Sequence, residues 1–138
     1  MAIEVDRSEP NLVKVKFPNA PITDEQLAAY LEDSETSLQQ RSAPFAIIVD
    51  TGERSVKLTV VQRRMQAEFM NRVAPIIRRH CRGYAFVVRD TVGRGVLRAI
   101  LWFAAPPCPW RVFEDPESAQ TWTRGQLSGS VGQSPSAT

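Results

Sequence analysis

Two short unbroken apolar runs, Phe-Ala-Ile-Ile-Val at residues 45–49 and Tyr-Ala-Phe-Val-Val at residues 84–88, constrain the fold of this chain more than any other feature. Each is too short for a buried helix, and the first is fenced by Pro44 on one side and by Asp50, Thr51 and Gly52 on the other. That is the pattern of a strand covered on both faces, which belongs at the centre of a sheet. Between them Val61, Met65, Phe69, Val73, Ile76, Ile77 and His80 recur at steps of three and four, the stripe of an amphipathic helix. Two central strands joined through a helix pair in parallel by a right-handed crossover.

The flanking segments extend the same logic. Ile3 and Val5, then Val13, Val15 and Phe17, alternate with charged residues around the turn-like Ser8, Glu9, Pro10 and Asn11, which predicts a hairpin with one wet face. Thr23 and Gln26 form a capping-box pattern for a first helix carrying Leu27, Tyr30, Leu31 and Leu38. In the second helix Pro75 predicts a kink or break, and Gly83 predicts its end. Asp90 or Thr91 caps a third helix in which Val92, Val96, Ile100 and Phe103 share a face beside Leu97 and Leu101. Pro106, Pro107 and Pro109 stop it. Trp102, Phe103 and Trp110 fit a segment folded over the sheet edge as core; exposed, they would form a contact patch. A short strand around Val112 and Phe113 and a helix opened by Asp115, Pro116 and Glu117, with Ala119, Trp122 and Leu127, complete the pattern. The expectation is one α/β domain over residues 1–127: a single mixed sheet, mostly parallel with an N-terminal hairpin, packed with about four helices. The small polar residues of 128–138 predict a disordered tail.

Charge is distributed unevenly. Residues 1–37 hold eight acids against three basic residues, whereas residues 63–98 hold nine arginines against two acids. A polarised surface follows if the fold keeps these regions apart, and one copy's acidic end would then complement another's basic middle. No groove-reading or base-stacking pattern accompanies the arginines, so nucleic acid is not the expected partner. No segment reaches the roughly 20 apolar residues of a membrane span, and the first residues lack the pattern of an export signal. A cytoplasmic location is expected, with Cys81 and Cys108 as free thiols.

Proton-handling chemistry is sparse. The one histidine, His80, sits at a helix end beside Cys81, where adjacent side chains diverge by about 100° and make a poor metal site. Gly93 and Gly95 around Arg94 complete neither a Walker A loop nor a dinucleotide fingerprint. No metal, cofactor or catalytic residue is therefore expected. The candidate binding residues are Thr51, Ser55 and Thr59, just beyond the carboxyl end of a central strand, with Arg63 and Arg64 on the helix that follows. Phosphate on Ser55 or Thr59 would add roughly −1.5 to −2 charges beside those arginines.

Taken in order, the strand ending at Asp50, the arginine-rich helix 62–81, Gly83, Ala85, Phe86 and Val87 resemble the STAS-like proteins close to sporulation anti-anti-sigma factors, the SpoIIAA-like group. So do Arg94, Gly95, Leu97, Ala99, Ile100 and Trp102, the proline-rich loop, and the closing Val112, Phe113, Glu117, Ala119 and Trp122. The resemblance spans about residues 3–127. It implies a non-catalytic, bacterial regulatory domain that docks protein partners. In that group the phosphorylated serine lies in an Asp-Ser-Ser-Gly-like run after the central strand, a run that loop 51–59 lacks. Related domains carry small apolar ligands, which keeps a carrier as an alternative, and a homo-oligomeric scaffold, such as a homodimer, is another.

Overall fold

Alternation in the first residues builds a hairpin, as its pattern predicts. Strand β1 (Glu4–Glu9) runs antiparallel to β2 (Leu12–Lys16), with Val5 opposite Val15. The two apolar runs become β3 (Phe45–Asp50) and β4 (Cys81–Val87), and β5 (Trp110–Phe113) closes the sheet. The strand order is β1-β2-β3-β4-β5, parallel from β2 to β5, so β3 is central. This computed structural model describes residues 3–52 and 58–129. Most of the expected tail, 130–138, lies outside the described residues.

Four helices cover the sheet: α1 (Asp24–Gln39), α2 (Val60–His80), α3 (Thr91–Ala104) and α4 (Pro116–Leu127). Three successive crossovers in one direction along the sheet put their helices on a single face if each is right-handed. The core agrees. On one face Val13, Val15, Ile47 and Tyr84 pack under Leu27, Leu31 and Leu38 of α1 and Phe69, Val73 and Ile77 of α2. Leu97 and Leu101 of α3 reach that face at Val112, Phe86 and Trp110. On the other face Leu12, Ala46, Ile48, Ala85 and Val87 meet Ala119, Trp122 and Leu127 of α4. The chain is thus a mixed five-stranded sheet with three helices on one side and one on the other.

Helix starts follow the local chemistry. Thr23 and Thr59 both form complete capping boxes, each accepting from the N3 backbone and receiving the N3 glutamine in return. Asp90 and Asp115 cap α3 and α4 through Gly93 and Ser118. Gln62 does more than cap. Its Oε1 accepts from the Thr59 N–H at 3.1 Å, while its Nε2 donates to the Ile22 carbonyl at 2.8 Å and to Asp24 Oδ1 at 3.1 Å. This buried amide therefore fastens the start of α2 to the start of α1. Gln62→Ala is expected to cost about 1–2 kcal/mol in chemical denaturation.

Two local expectations are corrected. Of the kink or break expected at Pro75, the break does not occur, since helix α2 continues from Val60 to His80 through it. Pro75 and Asn71 are both exposed, so the carbonyl that loses its partner lies where water reaches it. Nor does Gly83 stop α2, because the helix passes directly into β4 at Cys81. Gly83 lies inside that strand beneath Trp122, where an added Cβ would approach the indole to 3.1 Å. The glycine is needed for close packing of α4 on the sheet, not for a turn.

Candidate docking surface

Because β2 to β5 are parallel, their carboxyl ends share one edge, and α2, α3 and α4 follow from the loops there. The centre of that edge is tied by an ion pair. Asp50, the last residue of β3, meets Arg89, two residues beyond β4, through Oδ1–Nη1 at 2.6 Å and Oδ2–Nη2 at 3.1 Å. Asp50 Oδ1 also accepts from the Gly52 N–H at 2.8 Å, and Arg89 Nη1 donates to the Gly52 carbonyl at 2.9 Å. Burial alone would raise the Asp50 pKa. The hydrogen bonds from Arg89 and Gly52 and the Arg89 charge outweigh it, holding the carboxyl below its ordinary value of 3.8. Saturated with donors in this way, Asp50 is a structural clamp and a weak base.

The five candidate residues separate. Thr51 is half-buried, its Oγ1 donating to the Val87 carbonyl at 2.8 Å, so its hydroxyl joins β3 to β4 and does not face a partner. Ser55 lies outside the described residues. Thr59 is exposed, with its hydroxyl oxygen accepting from the Gln62 N–H at 3.1 Å as the cap of α2. Arg63 and Arg64 are both exposed on the first two turns of α2, and among the described residues neither pairs with a carboxylate. No acidic residue stands in the first turn of α2. Two guanidinium groups near the positive end of a helix dipole make this a strongly cationic place.

Arg94 has a structural task. Its Nη1 donates to the carbonyls of Val88 at 2.9 Å and Arg89 at 3.1 Å, and its Nη2 lies 3.7 Å from Glu114. The neighbouring Gly93 N–H is taken by the Asp90 carboxylate at 2.7 Å. The chain's own acid thus fills the place a phosphate would need.

The face that Val92, Val96 and Ile100 share on α3 is 73, 56 and 47% exposed at those residues, and Trp102, expected to fold over the sheet edge as core, is 79% exposed. Among the described side chains of α3, Leu97 and Leu101 reach the sheet. Trp110 is half-buried and Pro106 buried, so the aromatic, proline-rich segment is covered at its far end and open at Trp102. On α2 Val60 and Val61 add two further exposed apolar side chains beside the arginines. Exposed apolar side chains clustered on one helix face mark contact surfaces.

Interior space is small by comparison. A cavity of about 30 Å³ lies between the sheet and α1 and α2, lined by Val13, Tyr30, Phe69 and Tyr84 among others. Burial pushes the Tyr30 hydroxyl there up to about 12 and raises that of Tyr84 well above its ordinary value. Such a space suits a water or two, whereas sites for small ligands run to about 300–1,000 Å³. An open groove of about 310 Å³ runs between β1 and α1, bounded by Ile3, Val5, Gln26, Ala29, Tyr30 and Asp33. Among the described residues no three His, Cys, Asp or Glu side chains gather as a metal site, and no helix is long and apolar enough to cross a membrane.

The architecture has a solved counterpart. An uncharacterised protein of the DUF3478 family from Shewanella loihica PV-4, with a SpoIIAA-like fold, superposes with a TM-score of 0.61 over 88% of this chain and 92% of its own. The fold is SpoIIAA-like. At 18% identity, this similarity to the Shewanella protein concerns the fold alone. No family model matches the sequence, and no curated protein matches it. Within the SpoIIAA-like frame, the start of α2 and the outer face of α3 carry exposed apolar side chains, and the start of α2 carries the exposed Arg63 and Arg64.

Proposed function

We propose that this SpoIIAA-like domain is a non-catalytic regulatory module that captures a protein partner through the start of α2 and the outer face of α3. The observation that carries this reading is the exposure of Val92, Val96, Ile100 and Trp102 on α3, together with that of Arg63 and Arg64 at the start of α2. Covering such side chains contributes about 1–2 kcal/mol each, enough for a few of them to anchor a complex. The arginines select a partner with an acidic surface and speed its approach.

The test separates docking from folding. Val96→Ser with Ile100→Ser removes apolar surface that the fold already leaves in water, so unfolding free energy should change by less than about 1 kcal/mol. Partner capture by the same protein should fall at least about tenfold, the equivalent of about 1.4 kcal/mol. Arg63→Glu with Arg64→Glu should weaken capture and flatten its salt dependence while leaving the melting curve in place. Cooperative loss of stability in the serine variant would place these residues in the core and remove the docking surface. A carrier role has less support, because the cavity under α1 and α2 is about one-tenth of what a small apolar ligand needs, and the larger groove between β1 and α1 lies open to solvent.

A further inference from the structure

Cys81 opens β4, and Cys108 lies in the 105–109 loop that leads into β5. In a regular strand Cys81 and Tyr84, three residues apart, would point to opposite sides of the sheet. A register shift intervenes: Phe45 pairs with Cys81 but Ala46 with Gly83, so Arg82 is an inserted residue. The bulge turns Cys81 to the same side as Tyr84, and both belong to the core beneath α1 and α2. Cys108 packs against that core together with Trp110, the residue paired with Tyr84 across β4 and β5. The Tyr84 N–H donates to the Pro109 carbonyl at 2.9 Å, fixing the loop against β4. Cys108 lies two residues before Trp110 and Cys81 three before Tyr84, so the loop enters the sheet alongside the start of β4; a disulfide needs Cα atoms roughly 4.4–6.8 Å apart. The Cys81 thiol donates to the Gly83 carbonyl at 3.3 Å, which holds its sulfur beside the core cluster that Cys108 packs against.

We infer that Cys81 and Cys108 form an oxidisable dithiol, a modification site that closes into an intramolecular disulfide by exchange with a low-molecular-weight disulfide such as glutathione disulfide. Cys108 is the half-exposed partner and Cys81 the buried one, which sets the order of steps. The Cys108 thiolate attacks the small disulfide, forming a mixed disulfide and releasing one small thiolate, which takes up the proton Cys108 gave up. The Cys81 thiolate then attacks the Cys108 sulfur, forming the internal S–S bond, and the second small thiolate leaves and takes the proton from Cys81. Two protein thiols are oxidised by two electrons, and one small disulfide is reduced to two thiols.

The surroundings also set the rate. The hydrogen bond to Cys81, and then burial, raise the Cys108 pKa far above the ordinary thiol range. Thiolate is the attacking species, so exchange is slow near neutral pH and quickens as pH rises. Once formed, the bond would enclose β4 and α3 in one covalent loop and restrain the return from α3 into β5.

The test treats the full chain with glutathione disulfide at neutral and alkaline pH and follows intact mass and mapped peptides. The expected product is monomeric, lighter by two hydrogen atoms, and joined between the Cys81 and Cys108 peptides. It should melt at a higher temperature and show slower amide exchange across α3, both reversed by a reductant. In Cys81→Ser the reaction should stop at a glutathione adduct on Cys108. A lasting adduct on Cys108 in the unaltered protein, a dimer linked between chains, or two free thiols after prolonged alkaline exposure would each overturn the proposal.

Discussion

Gly52→Val is expected to destabilise the domain by about 3–5 kcal/mol, a large share of what a domain of this size has to lose. Gly52 has φ +90°, a conformation that a β-branched residue adopts only under strain. Space is lacking as well. An added Cβ would collide with Asn19 Oδ1 and come within 3.1 Å of the Phe17 carbonyl. Both obstacles belong to the segment after β2, which is held in place by the Phe17 N–H bond to the Asp50 carbonyl at 2.9 Å. Strain contributes about 1–3 kcal/mol and overpacking a similar amount. Since Gly52 also bonds Asp50 and Arg89 through its backbone, its displacement would loosen the origin of the loop that leads to α2. Chemical denaturation measures the loss, and an unchanged midpoint would show that the tight turn after β3 is not a constraint.

Asp50→Ala should cost about 2–3 kcal/mol near neutral pH, with a characteristic dependence on acid. Removing the carboxylate takes two charge-assisted hydrogen bonds from the partly buried Arg89 guanidinium, and deprives the Gly52 N–H of its acceptor. Breaking a fully buried pair costs about 3–5 kcal/mol, and the partial exposure of Arg89 brings the figure down. The folded-state pKa of Asp50 lies below its ordinary value. The carboxylate's stabilisation is therefore fully present above the unfolded pKa, about 4, and is lost as pH falls through the lower folded value. Stability curves of the parent and Asp50→Ala should stay apart from about pH 5 upward and converge in stronger acid. A difference that persisted into strong acid would mean that packing, not ionisation, governs this position.

Most of the fold was legible because its signals are local. The strands β3 and β4 announce themselves as apolar runs, and the threonine and glutamine pair at 23 and 26 writes the start of α1 directly into the chain. Pro75 and Gly83 misled for the same reason. Each carries a strong local rule, but water access at Asn71 and the packing of Trp122 on the sheet are tertiary facts. The Asp50–Arg89 clamp joins residues 39 apart and becomes visible only once β3 and β4 are paired in parallel with Asp50 opposite Val87.

The candidate surface was half legible. The arginines of α2 could be picked out by sequence, and their exposure agrees with a solvated helix start. The face of α3 could not, because a period of three or four residues reports that a helix has an apolar side without saying what covers it. Among the described side chains of α3 the sheet takes Leu97 and Leu101, leaving Val92, Val96 and Ile100 in water. Thr51 shows the converse, a hydroxyl at the expected edge that the fold has already used between β3 and β4.

The most direct test is a quantitative pull-down from the native host, comparing the unaltered domain with Val96→Ser/Ile100→Ser and Arg63→Glu/Arg64→Glu at matched melting temperatures. One and the same protein should be retained by the unaltered domain and lost from both variants. Equal retention by all three would contradict the assignment of α3 and the start of α2 as the docking surface.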